Sequence, residues 1–212
     1  MATGSDVVRP ELAWPPAAAA RLRGDVVEVA RLVPERDAAA LHEALDDGEI
    51  WRHLAERPGS PQDHARVLAR RLAEGRVIWL VRLVRPYRGL PAATVVGTSS
   101  YLNVSARDAR LEIGATAYRR QLWATAVNPE TKLLLLGYAF ETLGAARVQL
   151  VTDERNLRSR RAIERLGATQ EGILRSHQRR ADGTLRDTVV FSILHDEWPE
   201  VRAGLRARVS AG

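Results

Sequence analysis

The chain has 212 residues, of which 45 % are hydrophobic and 27 % charged, a composition typical of a globular protein with a buried core. It contains no cysteine, which excludes disulfides, thiolate metal sites and cysteine nucleophiles. It has neither an apolar run near the ~20 residues of a membrane helix nor a basic-then-apolar leader, so we expect a cytoplasmic protein with no membrane partner. The net charge is +6, but its arginines are scattered and not interleaved with aromatic residues, so we expect no nucleic-acid partner.

The first half of the chain predicts an arm followed by strands and helices. Residues 1–22 are rich in proline and alanine, and we expect a loose arm that partly packs on the body. Short apolar runs predict strands at 25–32, 76–83 and 93–102. Amphipathic patterns predict helices at 35–46 and 63–72, with a loop or short helix between them.

The middle of the chain is a strand, a loop and a helix. The strand is predicted by alternation of apolar Leu111, Ile113 and Ala115 with Glu112, Gly114 and Thr116. Asn128 is expected to cap the helix, with Pro129 in its first position, and the helix is expected to stop at Gly144.

The last third predicts a strand at 147–152, a helix at 157–166 and a hairpin that turns at Asp182-Gly183. A short helix and a basic tail are expected at 195–212. Together the elements predict one α+β domain over residues 23–199, followed by a tail at 200–212. We expect a mixed, mostly antiparallel sheet of six or seven strands, flanked by about four helices.

The loop from Gln121 to Ala126 ends in three small residues, Ala124, Thr125 and Ala126. Such a loop before a helix exposes backbone N–H groups that favour an anion, for example a phosphate. An ordinary turn between a strand and a helix has the same pattern, so the loop alone leaves both readings open.

Three motifs in order resemble the GNAT N-acetyltransferases. Gln121-x-x-Ala124-x-Ala126 resembles the family's acetyl-CoA diphosphate motif, Q/R-x-x-G-x-G/A. The segment from Asn156 to Gly167 resembles N-x-x-A/S-x-x-x-Y-x-x-x-G, and the final hairpin continues into VVFSIL and HDEWP. The likeness covers residues 24 to 200 and is greatest to the RimJ/RimL-type branch of ribosomal-protein N-terminal acetyltransferases. It implies the GNAT acyltransferase fold.

The resemblance implies acetyl-CoA as cosubstrate and no metal. The diphosphate would lie on the backbone of Trp123, Ala124, Thr125, Ala126, Val127 and Asn128. The pantetheine arm would pair, as an added strand does, with Thr116, Ala117 and Tyr118, and would bond Asn156. Among the arginines of the second motif, Arg161 is the candidate for the 3′-phosphate, and Lys132 is an alternative.

The resemblance also implies direct attack of an amine on the acetyl thioester in a ternary complex. Glu112 is the candidate base, although a strand glutamate also commonly faces solvent or pairs with arginine. A backbone N–H of Ala115 or Thr116 would stabilise the oxyanion. Ser159 would assist the departing thiolate and contact the cofactor, or would only cap its helix.

Two residues depart from the family pattern. Ala124 replaces the first glycine of the loop, and alanine is strained if its φ is positive. Ile163 replaces a tyrosine that often protonates the thiolate. A longer acyl-CoA substrate and a catalytically idle module that binds acyl-CoA or a partner therefore remain alternatives.

The acceptor is the partner that the sequence defines least. We expect a primary amine, either a protein N-terminus or a small molecule, that enters opposite the cofactor between the first helices and the last hairpin. Five aromatic residues are available to line its path, without an assigned role: Trp51, His53, Trp79, Tyr101 and His177. A homodimer is one option for the oligomeric state.

Overall fold

A central sheet organises the computed structural model, which describes residues 8–54 and 56–211. The strands are β1 (Arg21–Arg23), β2 (Val27–Arg31), β3 (Val77–Leu83), β4 (Val95–Ser105), β5 (Arg110–Tyr118), β6 (Arg147–Asp153), β7 (Thr169–Arg179) and β8 (Leu185–Leu194). The helices are α1 (Pro34–Ala44), α2 (Gly48–Trp51), α3 (Pro61–Ala73), α4 (Val127–Gly137), α5 (Leu157–Glu164) and α6 (Trp198–Ser210).

The strands lie in the order β1-β2-β3-β4-β5-β6-β8-β7, and each neighbouring pair is antiparallel except β5 and β6. The predicted mixed, mostly antiparallel α+β fold is therefore confirmed. The described residues form eight strands and six α-helices, slightly more than the sequence predicted. None of the helices in the described part of the chain has the length and apolar character needed to cross a membrane.

The segment before residue 23 takes part in the fold. Arg21–Arg23 form β1 and pair with β2, so the prediction of a loose arm is wrong for Arg21 and Leu22. Leu12 is buried, and its backbone N–H donates to the carbonyl of Ala106 at 2.9 Å. Residues 1–7 of the predicted arm lie outside the described residues.

Helices cover both faces of the sheet. On one face, Leu41 of α1 and Leu68 of α3 share a buried cluster with Ile78 of β3. On the other face, Leu135 of α4 shares a larger cluster with Trp79, the next residue of β3. Successive strand residues point to opposite faces, so the sheet separates an α1–α3 layer from the layer that contains α4.

The sheet opens between β5 and β6. These strands pair only from Arg110 opposite Arg147 to Glu112 opposite Gln149, although both continue beyond this point. β5 also carries a bulge at Ala115, whose φ is +47°. The strands therefore diverge and leave backbone groups of β5 without a neighbouring strand on this side.

The start of α4 differs from the prediction. Ala126, not Asn128, is the N-cap, and its methyl group offers no hydrogen bond to the first amides. The Glu130 carboxylate accepts from the backbone N–H groups of residues 25, 26 and 27 at 2.8, 2.8 and 2.6 Å. This long-range contact ties α4 to the start of β2, and the helix begins two residues earlier than the local signal indicated.

The helical run after α4 ends as predicted. A π-helical turn at Tyr138–Thr142 extends it, and Gly144 follows with a φ of +76°, a conformation that glycine adopts without strain. The prediction of a basic tail is wrong, because residues 198–210 form α6 and bury Val201 and Leu205 in the core.

The β7–β8 hairpin is confirmed, but its loop is longer than the predicted two residues. The Arg180 N–H donates to the Thr184 carbonyl at 2.8 Å across three intervening residues. Gly183 has a φ of +84° there, as in three-residue loops that end in a left-handed residue.

Candidate functional site

The main cavity of the described residues runs through the gap between β5 and β6. It has a volume of about 750 Å³. One part, the β5–β6 cleft, is lined by residues 113–118 of β5, the loop before α4 and the start of α5. The other part, the α2–α3 chamber, lies on the face of the sheet that α1 and α3 cover. It is enclosed between that face and the helices α2 and α3, with Leu54 and Leu68 in its wall. One cavity therefore gives access to the same point of β5 from both faces of the sheet.

Glu112 lies on the chamber side of β5, buried at 4 % exposure. Its carboxylate accepts from Asn103 Nδ2 at 2.9 Å and from Gln149 Nε2 at 3.4 Å. Burial raises the pKa of this carboxyl group, and the two amide hydrogen bonds only partly oppose that effect. A carboxylate whose pKa is raised is a better proton acceptor than an ordinary glutamate, which is the property that a general base needs.

Three polar side chains, those of Thr116, Ser99 and Lys132, are hydrogen-bonded to one another next to the bulge of β5. Thr116 Oγ1 lies 2.8 Å from Ser99 Oγ, and Lys132 Nζ donates to these two oxygens at 2.9 and 3.3 Å. Desolvation lowers the pKa of Lys132 to about 7. Its ammonium is directed at the sheet and not at the protein surface. Lys132 therefore does not suit its alternative role, a contact with the 3′-phosphate of the cofactor.

The loop before α4 presents free amides. The Trp123 N–H donates to the Arg120 carbonyl at 3.1 Å, whereas within the described chain the N–H groups of Ala124, Thr125 and Asn128 meet no acceptor. These groups lie at the N-terminus of an 11-residue helix, where the helix dipole adds positive potential. Together they make a favourable place for an anion.

Ala124 has a φ of +59°, so this alanine does occupy the left-handed region that its place in the motif made questionable. Such a conformation costs an L-residue about 1–2 kcal/mol compared with glycine, which adopts it freely. The loop therefore holds an alanine in a conformation that glycine would adopt without strain.

The start of α5 faces the loop across the cleft. Asn156 is the N-cap, and its Oδ1 accepts from the Ser159 N–H at 3.0 Å. Both side chains line the cavity. The Arg158 guanidinium lies over the Trp123 ring, 3.4 Å from its centroid, and this cation–π contact joins α5 to the loop. Ile163 is buried and lines the cavity without a polar group where a tyrosine was expected from the family pattern.

The cavity brings together most of the residues that the sequence singled out. It is lined by Glu112, Ala115, Thr116, Ala117, Tyr118, Trp123, Ala124, Thr125, Asn128, Asn156 and Ser159. Ala126 and Val127 are buried behind the loop, and Arg161 is exposed outside the cavity. Two other arginines of the second motif, Arg158 and Arg165, do line it.

Of the five aromatic residues, Trp51 and His53 line the chamber. Trp79 and Tyr101 are fully buried in the core, and His177 lies on exposed β7, with Nδ1 3.2 Å from Thr188 Oγ1. Across residues 8–54 and 56–211, no group of three or more histidine, aspartate and glutamate side chains is arranged to hold a metal ion.

A family profile described as an acetyltransferase (GNAT) domain matches residues 29–169 of the chain. A curated relative, the uncharacterized N-acetyltransferase YoaA of Bacillus subtilis (strain 168), is 23 % identical over 173 residues, which cover 78 % of this chain and 92 % of that protein.

Solved structures agree with this match. A crystal structure from T. thermophilus, described as an acetyltransferase, is 38 % identical with a TM-score of 0.79, over 92 % of this chain and 98 % of that one. RimJ from Mycobacterium smegmatis, in complex with CoA-disulfide, is 19 % identical with a TM-score of 0.75, over 93 % and 96 % of the two chains. At that identity the second likeness concerns the fold alone.

Proposed function

The chain belongs to the GNAT acetyltransferase family, and on that premise we propose that it transfers an acetyl group from acetyl-CoA to a primary amine. The observation that carries the proposal is the divergence of β5 from β6. It puts free loop amides at one end of a cleft and a buried Glu112 at the other. The loop amides would then bind the diphosphate of acetyl-CoA, and Glu112 would activate the amine beside the acetyl end of the same extended molecule.

In this proposal the backbone from Trp123 to Asn128 holds the diphosphate, chiefly through the amides of Ala124, Thr125 and Asn128. The unpaired edge of β5 at residues 116–118 bonds the pantetheine arm as a neighbouring strand would. Asn156 offers its remaining amide group to the same arm, because its Oδ1 is already used for capping. Arg161 remains the candidate for the 3′-phosphate, and the position of Arg158 over Trp123 adds a second one.

The chemistry follows from three groups around the bulge. Glu112 takes the proton from the attacking amine, directly or through water, because its raised pKa suits a base. A backbone N–H of Ala115 or Thr116 stabilises negative charge on the acyl oxygen. Ser159 assists the departing thiolate. Acetyl-CoA supplies the activated thioester.

The finer assignments are also proposals. We infer a cytoplasmic enzyme of the RimJ/RimL-type branch, whose acceptor is a protein N-terminus or a small-molecule amine. A homodimer would be formed through β7, an edge strand on which Ile173 and Leu174 are exposed.

A catalytically idle module that binds acyl-CoA is the second candidate. The observation in its favour is Ile163, which gives the cleft no hydroxyl where the family often has a proton donor. A longer acyl chain is a third option, and it would need room in the chamber beside Glu112.

The test is release of CoA thiol from acetyl-CoA and from longer acyl-CoAs, in the presence of amines, peptides and antibiotics. We expect acetyl-CoA to bind and at least one primary amine to be acetylated. Binding without turnover on any acceptor would favour the idle module. Failure of acetyl-CoA to bind would overturn both readings, and a co-crystal with acetyl-CoA elsewhere on the surface would do the same.

A further inference from the structure

The α2–α3 chamber contains more positive charge than the proposed reaction requires. Arg71 of α3, Arg76 immediately before β3 and Arg186 of β8 all line it. Three carboxylates line the cavity. Asp153 is already held by Arg180 Nε and Nη2 at 2.6 and 3.0 Å, and Glu56 already accepts from Arg70 Nη2. Glu112 is hydrogen-bonded only to amides.

Arg71 and Arg76 are the least satisfied of these cations. Their side chains are only 22 % and 24 % exposed. Their nearest carboxylates are Glu56 at 3.8 Å and Glu74 at 3.6 Å, both beyond hydrogen-bond distance. Within the described residues neither guanidinium donates a hydrogen bond, although each carries five N–H donors.

Arg186 extends this pattern from the other side of Glu112. Its Nε donates to Thr188 Oγ1 at 2.9 Å, and no carboxylate of the described chain lies within 4.0 Å of it. Arg76 and Arg186 both act on Glu112 electrostatically from a distance, without contact. The buried carboxylate thus lies between two guanidinium groups that donate no hydrogen bond to any carboxylate of the described chain.

A bound anion would relieve the unfavourable electrostatic energy of this arrangement. An arginine cannot shed its proton in a protein, so its charge persists when it is buried. Partial burial of a charge without a hydrogen-bonded counter-charge is costly, and Arg71 and Arg76, whose nearest carboxylates lie at 3.8 and 3.6 Å, also repel one another. His64, in the roof of the chamber, does not add to the charge, because burial lowers its pKa to about 4. A guanidinium fork matches a carboxylate in both charge and shape.

Arg76, which would bind an anion, and Glu112, the candidate base for the amine, project from the same face of the sheet. Arg76, Leu102 and Glu112 occupy neighbouring strands in register, because Val77 pairs with Tyr101 and Leu102 pairs with Glu112. Neighbouring strands lie about 4.8 Å apart, so the two charged side chains rise from one face about 10 Å apart at their Cα atoms. Both side chains extend into the chamber, which leaves a gap suited to a small molecule.

The roof of the chamber indicates the rest of that molecule. It consists largely of apolar side chains from α2 and α3 and the segment between them: Ile50, Leu54, Val67 and Leu68. An apolar substituent placed there would lose contact with water, which favours its binding.

We propose that the acceptor is a small zwitterion, an amine that carries its own carboxylate and an apolar side chain, such as a free apolar amino acid. Its amine meets Glu112, its carboxylate meets Arg71 and Arg76, and its side chain lies under α2 and α3. This inference rests on the proposed acetyl transfer and selects a small molecule over a protein N-terminus.

The test compares matched acceptors that differ only by the carboxylate: L-leucine with isoamylamine, L-methionine with 3-(methylthio)propylamine, and L-phenylalanine with phenethylamine. Two charge-assisted contacts should raise kcat/KM for the amino acid by about 100-fold or more in at least one pair. Arg71→Met and Arg76→Met should each reduce that preference by about 10-fold, with little change for the amine. The Kd of acetyl-CoA should stay unchanged.

Arg66→Met is the matched control, because Arg66 is an arginine of the same helix that does not line the chamber, and it should leave the preference intact. Arg71→Gln and Arg76→Gln repeat the test should a methionine variant fail to fold. Equal rates within all three pairs, or a preference that survives in the double variant, would overturn the inference while acetyl transfer stands. If no acceptor turns over, calorimetry of the three amino acids against the CoA-saturated protein decides, and absence of binding overturns the inference.

Discussion

Replacement of Lys132 by methionine should stabilise the protein at neutral and acidic pH, and the gain should shrink as the pH rises. The Lys132 ammonium is buried, and its two partners, Thr116 and Ser99, are uncharged. Desolvation lowers its pKa from 10.5 to about 7. In the unfolded chain the lysine regains its ordinary pKa, so folding and proton binding are linked.

The sign follows from where the proton is held. Between pH 7 and pH 10.5 the unfolded chain keeps a proton on Lys132 that the folded protein has released, so wild-type stability rises with pH in this window. Below pH 7 both states are protonated, and the folded protein carries the full penalty of a buried charge, about 5 kcal/mol at about 1.4 kcal/mol per pH unit. About 3 kcal/mol of this has been recovered at pH 9.

Methionine fills similar space without a charge, and Thr116 and Ser99 can still bond each other when the ammonium is gone. The advantage of Lys132→Met over wild type in urea unfolding should therefore fall by about 3 kcal/mol between pH 6 and pH 9. Lys132→Arg is the control, because a guanidinium stays charged over this range. Its unfolding free energy relative to Lys132→Met should be the same at both pH values.

A direct measurement is also available, because Lys132 is the only lysine of the chain. Protein labelled with ¹³Cε-lysine gives one side-chain NMR signal, which should titrate near pH 7. A midpoint above pH 9, together with a pH-independent difference between wild type and Lys132→Met, would refute the reasoning.

The same signal reports on the cofactor. Lys132 lies five residues into α4, about 8 Å along the axis from the helix start. One negative charge at that distance, with an effective dielectric constant of about 20, stabilises the ammonium by about 2 kcal/mol and raises its pKa by about 1.5. Saturating CoA should therefore move the midpoint upwards, and an unchanged midpoint would argue against a diphosphate at the start of α4.

Three further predictions concern single carboxylates and the loop. Glu112→Gln should lower turnover by about 100-fold or more and leave the Kd of acetyl-CoA unchanged. The kcat/KM of the wild type should fall as the pH drops through the raised pKa of Glu112, and a variant that retains this acid limb would exclude Glu112 as the base. Ala124→Gly should leave the Tm and the affinity for acetyl-CoA equal or higher, because it relieves the strain of a positive φ. The control Ala126→Gly, at a φ of −65°, should lower the free energy of unfolding by about 1 kcal/mol. Weaker acetyl-CoA binding by Ala124→Gly would contradict this prediction. Glu130→Gln should lower the free energy of unfolding by about 2–3 kcal/mol, because three backbone N–H groups lose a charged acceptor. The control Glu200→Gln, at an exposed position, should leave the free energy of unfolding unchanged, and equal losses in the two variants would refute the role of Glu130.

The fold was predictable where local patterns decide it. Alternation along β5 placed Leu111 and Ile113 on one face and Glu112 on the other, and the structure agrees. Gly144 ended the helical run after α4 for a reason contained in one residue, its positive φ. Such features depend on neighbours in sequence, so a single chain is enough to read them.

The features that sequence missed depend on contacts between distant residues. Asn128 and Pro129 give a strong local start signal, yet the helix begins earlier, and Glu130 is bonded to amides about a hundred residues away. Arg71 and Arg76 look like ordinary surface arginines until α3 and the sheet enclose the chamber. For Lys132 a signal did exist, because it is the one lysine among 32 basic residues.

These long-range contacts also bear on the missing glycine of the loop. Glu130 fixes α4 to the start of β2 through three charge-assisted hydrogen bonds, and each such bond contributes about 1.5–3 kcal/mol. The positive φ of Ala124 costs about 1–2 kcal/mol, which is less than the stabilisation that the three hydrogen bonds of Glu130 contribute together. The loop amides therefore keep their orientation without glycine, and Ala124 is no argument for an idle site. Only Ile163 still favours that alternative, and a proton donor elsewhere in the cleft, such as Ser159, would remove it.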